Sequence, residues 1–223
     1  MEELATRRKA NSYRNTAIVF FVLGIICLFG VVIHFLLFFL SIIFFAIGAY
    51  VWKGGNTWDI GAEGEESVIR VLQNLDSSFK VVHDVVLPGE NSNIDHIVVG
   101  SVGTFVIETK NYNGIIRCYE DDWTRKKVGR RGTVYDAGIG NPSKQAKRNA
   151  VMLKNWLQSK NIDVGFIDAV VVFTNGEVKL NLRRPTVKIV RVDDLLGVFK
   201  GASNHRMTRE KINSVAENLY KLK

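Results

Sequence analysis

The feature that most constrains this chain is a long run without charge. The 37 residues from Thr16 to Trp52 include no Asp, Glu, Lys or Arg. A membrane-spanning helix needs about 20 apolar residues, and one straight helix of this length would far exceed a ~30 Å hydrocarbon core. The run therefore predicts two spans, about Thr16–Val32 and Phe35–Trp52, joined by a turn near Gly30–His34. One tilted span and a re-entrant hairpin are the alternatives.

The charges that flank this run predict its orientation. Four basic residues precede it and one follows it directly: Arg7, Arg8, Lys9, Arg14 and Lys53. Positively charged residues are retained on the cytoplasmic side of a membrane, so both ends are predicted to lie in the cytoplasm. The resulting organisation is a basic arm over residues 1–15, a membrane anchor of two spans over 16–52, and a soluble domain that faces the cytoplasm.

Charge and cysteine content limit what the soluble domain can be. The 223-residue chain has a formal net charge of +8 and two cysteines. The cysteines lie far apart in the sequence, which excludes a disulfide scaffold and a cysteine-based zinc site. The basic balance favours an anionic partner, either nucleic acid or the anionic leaflet of a lipid bilayer.

Hydrophobic periodicity after the anchor alternates between helix and strand. The predicted elements are a helix over Asp59–Leu75, strands over Lys80–Leu87, Asn93–Val99, Thr104–Lys110 and Gly114–Tyr119, a short strand over Trp123–Lys127, a helix over Pro142–Ser159, strands over Val164–Thr174 and Thr186–Val192, and a helix from about Thr208. This order predicts an α/β fold with a mixed central sheet flanked by helices. Residues 58–160 would form the core of the domain, and residues 161–223 would complete it.

One strand pair brings three charged residues together. The strands at Asn93–Val99 and Thr104–Lys110 are joined by a short loop, so they predict a hairpin. If Gly100 pairs with Gly103, Asp95 lies directly across from Glu108, where Cβ atoms are ~4.5–5.5 Å apart. Lys110 follows Glu108 by two residues and shares its face, whereas His96 points to the other face and is expected to pack or to form a hydrogen bond.

Two opposed carboxylates repel each other, so this arrangement requires a compensating positive charge. A hard divalent cation, Mg²⁺ or Mn²⁺, would supply it, because such ions take oxygen ligands from one or two carboxylates and the rest from water and phosphate. Lys110 would then position a water or hold a phosphate oxygen. The alternative is a surface strand pair in which Lys110 neutralises Asp95 and Glu108.

A third carboxylate is predicted on the helix that precedes these strands. Glu65 lies three and four residues before Val68 and Ile69, so it falls on the apolar stripe of that helix. A carboxylate on the inward-facing side of a helix suggests a third acid at the site. The alternative is a first-turn acid that interacts with the helix dipole.

Four segments in this order resemble the NERD (nuclease-related) domain, a branch of the PD-(D/E)xK, restriction-endonuclease-like superfamily. They are Gly61–Glu65, Asn93–His96, Ile107–Gly114 and Asn141–Gln145, and the resemblance covers roughly Trp58–Trp156. Ile94-Asp95 stands where the superfamily name has Pro-Asp.

The resemblance implies Mg²⁺-dependent hydrolysis of phosphodiester bonds. It implies that Asp95 and Glu108 are the metal ligands and that Lys110 is the catalytic lysine. Glu65 would be the acidic residue of the first helix. Gln145 would match a glutamine that some related nucleases place near the site.

Basic residues beyond these motifs are candidates for binding the nucleic-acid backbone. One group interleaves an aromatic residue with cations, and a second group lies near Gln145; together they are Trp123, Arg125, Lys126, Lys127, Arg130, Arg131, Lys144, Lys147 and Arg148. The alternative for the first group is a solvated loop or a patch that lies on anionic lipid.

The sequence therefore predicts a membrane-anchored nuclease whose partners are nucleic acid, with DNA favoured over RNA, and a lipid bilayer; a homo-oligomer is left open. One alternative is a catalytically silent membrane-bound module of the same fold that binds nucleic acid or protein. Another is a membrane adaptor in which the acids are only surface charges.

Overall fold

The computed structural model describes residues 5–29, 35–129, 131–200 and 206–222. The chain divides into two compact units, Met1–Glu63 and Gly64–Lys223. The described residues form four α-helices, one 3₁₀ helix and nine strands. This is a mixed α/β architecture preceded by two long apolar helices, as the sequence predicts.

The first unit contains an antiparallel pair of helices. Helix α1 spans Ala5–Phe29, and helix α2 spans Phe35–Leu72 and ends in the second unit. The rings of Phe21 and Phe45 lie 6.1 Å apart. The predicted turn at Gly30–His34 lies outside the described residues. Both helices are long and apolar enough to cross a membrane.

The polar ends of these two helices are joined by ionic contacts. Arg7 donates a hydrogen bond of 3.1 Å to Asp59, and the second oxygen of that carboxylate lies 3.8 Å from Arg14. The Lys9 ammonium lies 4.5 Å from the centre of the Trp58 ring. The charged start of α1 therefore packs against the polar part of α2, which places both flanks of the apolar run at the same end of the pair.

A five-stranded mixed sheet forms the core of the second unit. Its strands are β1 (Lys80–Val86), β2 (Asn93–Gly100), β3 (Gly103–Lys110), β7 (Ile167–Phe173) and β9 (Lys188–Arg191), in the spatial order β1-β2-β3-β7-β9. The first three strands pair antiparallel, and β7 and β9 add in parallel to β3. Strand β3 is therefore central, and its residues are buried along most of its length.

A second sheet of four strands was not predicted. It contains β4 (Gly114–Tyr119), β5 (Asp122–Val128), β6 (Val134–Ala137) and β8 (Val178–Arg183), in the order β6-β5-β4-β8. Strands β6 and β8 fall in segments for which the sequence predicts no strand. Strand β6 lies at the edge of this sheet, and all four of its residues are at least partly exposed.

Helices cover both faces of the five-stranded sheet. Helices α3 (Pro142–Ser159) and α4 (Arg209–Tyr220) pack on the face that carries Ile97 and Val106. The C-terminal part of α2 and the 3₁₀ helix (Val192–Lys200) pack on the face that carries Ile107. The apolar residues Ile212, Val215, Ala216 and Leu219 of α4 are buried, whereas Tyr220 is 51% exposed.

The start of the first helix of the domain differs from the prediction. The sequence predicts a separate helix over Asp59–Leu75, but these residues continue α2 without a break through Gly54 and Gly55 and end at Leu72. Tyr13 packs against both glycines, at 3.2 Å from where a Cβ atom would lie at each. The glycines therefore accommodate the aromatic ring and do not form a linker.

Candidate active site

The register of β2 and β3 is the one predicted from the sequence. Gly100 pairs with Gly103, and the ladder continues to His96 and Ile107. Asp95 and Glu108 follow at the next position, where the ladder ends. There the backbone N–H of Thr109 donates a hydrogen bond of 2.7 Å to the Asp95 carboxylate.

Lys110 contacts both an acid and an amide on this face. Its Nζ donates to Glu108 Oε1 at 2.6 Å and to Gln145 Oε1 at 3.1 Å. Gln145 lies in the first turn of α3. This helix is capped by Asn141 and begins with Pro142. The cap fixes where the helix starts and so places Gln145 over the end of β3.

The acids of this cluster are not surface charges. The Glu108 side chain is 1% exposed and that of Lys110 is 16% exposed, while Asp95 is half-buried. A buried carboxylate loses its hydration and therefore needs a charged or hydrogen-bonding partner. This burial contradicts the adaptor interpretation, in which Asp95 and Glu108 are solvated surface residues.

Burial and mutual repulsion disfavour ionisation of both carboxylates. Burial, followed by the charge of Asp95, raises the pKa of Glu108 to about 8, and Glu65 adds to the shift. Burial also raises the pKa of Asp95 to about 6. Burial alone would lower the pKa of Lys110, but the charges of Glu108 and Asp95 outweigh it and raise the pKa. Lys110 therefore stays protonated. Its single positive charge cannot balance Asp95 and Glu108 when both carboxylates are ionised.

Glu65 approaches the cluster from α2. It is 7% exposed, and its charge contributes to the raised pKa of Glu108. The preceding residue, Gly64, allows this approach. A Cβ atom at Gly64 would lie 2.9 Å from both Asn111 Cβ and Thr174 Oγ1, so the glycine lets the helix backbone pack against the residues that follow β3 and β7.

Two polar residues at the site were not predicted. Asn149 is 1% exposed, and its Nδ2 lies 3.4 Å from Glu108 Oε2. Its Oδ1 is buried and has no hydrogen-bond partner among the described residues. Asn149 follows Gln145 by one helical turn, so helical spacing could have identified it.

Asp84 is the second missed residue. The pairs Val85–Ile94 and His83–His96 place it across from Asp95 in the neighbouring strand, and its charge adds to the raised pKa of Asp95. The same argument from strand register that predicts the Asp95–Glu108 pair could have found it. A positive φ of 53° interrupts the ladder at Asp84.

His96 lies on the opposite face from Asp95, as predicted. It is fully buried, with Nδ1 at 2.9 Å from His83 Nδ1 and Nε2 at 3.1 Å from Thr109 Oγ1. Burial, with a contribution from His83, lowers its pKa well below the usual value. The prediction that His96 forms a hydrogen bond rather than facing the acids is therefore confirmed.

The side chains available to a metal ion at this site are few. Within the described residues, no group of three or more His, Cys, Asp or Glu side chains converges closely enough to hold a metal. A metal here would depend on two carboxylates, with amide oxygens, water or substrate completing its coordination. This is the ligand set that Mg²⁺ takes with phosphate substrates.

A family model described as "Nuclease-related domain" (NERD) matches residues 60–174, a little over half of the chain. The chain belongs to the NERD family. It is also 47% identical over 60 residues to an uncharacterised protein of Bacillus anthracis, a match that covers 25% of this chain and 28% of that relative. The aligned part is thus less than a third of the relative's length. No solved structure matches the chain.

The NERD match contains every residue of the cluster. Glu65 lies near its beginning, Asp95, Glu108 and Lys110 lie in its central hairpin, and Gln145 lies in the helix before its last strand. The match extends past the predicted end at Trp156 to residue 174 and so includes β7, the strand that pairs in parallel with β3.

Three of the predicted nucleic-acid-binding residues of the NERD domain also have structural roles. Trp123 donates from Nε1 to Ser143 Oγ at 3.0 Å. Arg125 is 8% exposed and donates to the Asn113 carbonyl and side-chain oxygens, each at 2.9 Å.

Lys147 is the third residue with a structural role. It donates to Asp121 at 2.6 Å and to Thr186 at 2.8 Å. Trp123, Arg125 and Lys147 therefore stay predicted contacts of nucleic acid, with part of their donor capacity already used within the protein.

The remaining cations fall into two groups. Lys144 and Arg148 are exposed on α3, on either side of Gln145. Lys126, Lys127 and Arg131 lie on or beside the β5–β6 hairpin, with Lys126 and Arg131 exposed. Arg130 lies outside the described residues.

Proposed function

We propose that this protein is a membrane-anchored, Mg²⁺-dependent nuclease that hydrolyses phosphodiester bonds of nucleic acid on the cytoplasmic side. The observation that carries the proposal is the half-buried ammonium of Lys110, held 2.6 Å from Glu108 and 3.1 Å from Gln145 on the face that Asp95 shares. A site with only an adhesive role has little need for a half-buried lysine beside two acids.

The side chains fit a hard divalent cation. Asp95 and Glu108 would hold it through carboxylate oxygens, the donors that Mg²⁺ and Mn²⁺ prefer. The buried Oδ1 of Asn149, which lacks a partner among the described residues, is a further oxygen near Glu108. When bound, such an ion lowers the pKa of a coordinated water and neutralises charge on a phosphate.

The protein's own groups supply the rest of the chemistry. The Lys110 ammonium would stabilise negative charge that develops on the phosphoryl group and orient the attacking water. Gln145 is a positioning residue, because its Oε1 accepts a hydrogen bond from Lys110 Nζ. Glu65 would orient a second water from the α2 side.

Nucleic acid is the substrate that the surface around the site favours. Lys144 and Arg148 are exposed, one helical turn apart on α3, and Gln145 follows Lys144 directly. Cations that border an acidic centre attract the phosphate backbone. The carboxylates at the centre then face the phosphate that is cleaved. We propose DNA over RNA as the substrate.

The proposed location rests on the first unit. Two helices long and apolar enough to cross a membrane have basic residues at the end where Arg7 meets Asp59. Retention of positive charge in the cytoplasm would place the NERD domain there. Reporter fusions at the N-terminus and after Lys53 should both indicate the cytoplasm, and an external signal from the second fusion would contradict this orientation.

A cleavage assay tests the proposed activity. The purified full chain in detergent should degrade or nick single- or double-stranded DNA with Mg²⁺ or Mn²⁺, and EDTA should stop it. Lys110→Ala should abolish cleavage but leave most Mn²⁺ binding, because Asp95 and Glu108 remain. The matched control is Lys179→Ala, which removes an exposed lysine of β8 and should leave activity unchanged.

The same preparation tests the second candidate, a silent binding module. This candidate is supported by the Lys110–Glu108 ion pair, which neutralises Glu108 without any metal. Salt-sensitive binding of DNA or RNA without cleavage under every metal condition would favour it and reject the nuclease. Neither cleavage nor binding would reject both.

A further inference from the structure

The β5–β6 hairpin exposes an apolar pair beside several cations. Val128 and Val134 are directly paired across the two strands and are 62% and 55% exposed. Tyr135, the next residue of β6, is 49% exposed. A short exposed edge strand normally carries polar residues that protect it from association, so two valines and a tyrosine at this position call for a partner.

Positive charge surrounds this apolar tip. Lys126 and Arg131 are exposed, and Lys127 is half-buried and pairs across the strands with Tyr135. The side chains of these three cations form no hydrogen bond or ion pair within the described part of the chain. Asp136 is the acid nearest to them in the ladder, across from Lys126.

The valines distinguish between two anionic partners. A nucleic acid gains affinity from cations and from planar rings that stack on bases, and a valine side chain provides neither. The interface of an anionic bilayer accommodates all of these groups. Aliphatic side chains enter the acyl boundary, tyrosine lies at headgroup depth, and lysine and arginine contact lipid phosphates.

We infer that the tip of the β5–β6 hairpin, formed by Val128, Val134 and Tyr135 with Lys126, Lys127 and Arg131, is a second membrane contact that inserts into the interface of an anionic bilayer. The inference rests on the membrane anchoring proposed above, in which the apolar helices of the first unit keep the domain near a bilayer. The inference does not depend on catalysis, because none of these six side chains belongs to the acidic cluster.

Site-specific labelling of the full chain tests this contact. Cys27 and Cys118 are replaced by alanine, and Thr133→Cys in the hairpin loop carries an environment-sensitive fluorophore. The protein is reconstituted into vesicles of phosphatidylcholine alone, or with a third of the lipid replaced by phosphatidylglycerol. We expect a blue-shifted emission and a several-fold lower rate of quenching by iodide in the anionic vesicles only.

Two controls separate insertion from simple proximity. A label at Glu177→Cys, an exposed position in the turn before β8, should be quenched equally in both vesicles. Val128→Ser with Val134→Ser should restore quenching of the hairpin label, because polar side chains have no preference for the acyl boundary. Unchanged near-ultraviolet circular dichroism would show that each variant is folded.

Three outcomes would overturn the inference. Equal quenching of the hairpin label in neutral and anionic vesicles would show that the tip stays in water. If added DNA in detergent protects the hairpin label from iodide and lipid has no effect, the tip binds nucleic acid. If protection of the label from iodide rises with protein concentration, the tip contacts a second copy of the chain. DNA cleavage measured in detergent is unaffected by any of these results.

Discussion

Replacing Glu108 by glutamine should remove a pH-dependent cost of folding. Glu108 is 1% exposed, and burial with the Asp95 charge raises its pKa from 4.5 to about 8. The folded state therefore binds a proton at Glu108 that the unfolded state has released between these pH values. The contribution of Glu108 to stability is fully present below pH 4.5 and is lost as the pH rises toward 8.

The size of the effect follows from proton linkage. One proton corresponds to about 1.4 kcal/mol per pH unit, so metal-free protein should lose roughly 3 kcal/mol through Glu108 between pH 5 and 7.5. Glu108→Gln keeps the shape and an oxygen acceptor for Lys110 but cannot ionise. The stability of the variant relative to the natural protein should therefore rise by the same amount over this range.

Denaturant unfolding in EDTA, followed by tryptophan fluorescence at several pH values, measures this difference. The titration of His96 affects both proteins alike and cancels when the two are compared. Glu177→Gln, which removes an exposed acid, is the matched control and should show the slope of the natural protein. Identical slopes for natural protein and Glu108→Gln would refute the buried-carboxylate reasoning.

Three further changes test the packing and the ligands of the site. Gly64→Ala should destabilise the protein by about 1–3 kcal/mol in unfolding experiments, because its Cβ would lie 2.9 Å from Asn111 Cβ. Gly61→Ala, which meets only a methyl group at 3.4 Å, should be neutral or stabilising, and equal losses in both would show that helix packing is not the cause. Mg²⁺ at a hundredfold excess over its dissociation constant should stabilise the natural protein by about 2.7 kcal/mol, and the same gain in Asp95→Ala would exclude Asp95 as a ligand. Asn149→Ala should weaken Mn²⁺ binding about tenfold in a titration, and unchanged affinity would remove this residue from the site.

All the predicted strands are present in the structure, and two further strands, β6 and β8, were missed. The β2–β3 hairpin has the predicted register because a short loop fixes the pairing and a slip would move its apolar side chains to the wrong face. Strand β8 has alternating Val178, Leu180 and Leu182 and could have been found from that pattern. Strand β6 has four residues with little burial, and only pairing with β5 makes it a strand.

The contacts of the basic side chains could not be predicted from residue type. Arg125 and Lys147 are basic residues in a basic segment, yet their charges bond to neighbouring parts of the chain. Lys144 and Arg148 have similar sequence surroundings but are exposed, although Arg148 also donates to Ser92 Oγ at 3.2 Å. A cation's availability depends on acceptors brought close by the fold, and local sequence does not contain this information.

The sequence by itself determined the elements whose cause is local. A charge-free run of 37 residues sets two long apolar helices, and a short loop sets the strand register that places Asp95 at the level of Glu108. Side-chain alternation then puts Lys110 on the same face. These features depend on composition, period and loop length, which can be counted along the chain.

Only the tertiary structure decided the burial and the pKa values of these charged side chains. Helix α3 places Gln145 and Asn149 over the acids, and the close packing of Gly64 brings Glu65 toward Glu108. Together these elements exclude water, so carboxylates that would ionise readily on a surface have raised pKa values. Burial and long-range contact arise from residues far apart in sequence, and for that reason the electrostatics of the site could not be predicted from the hairpin alone.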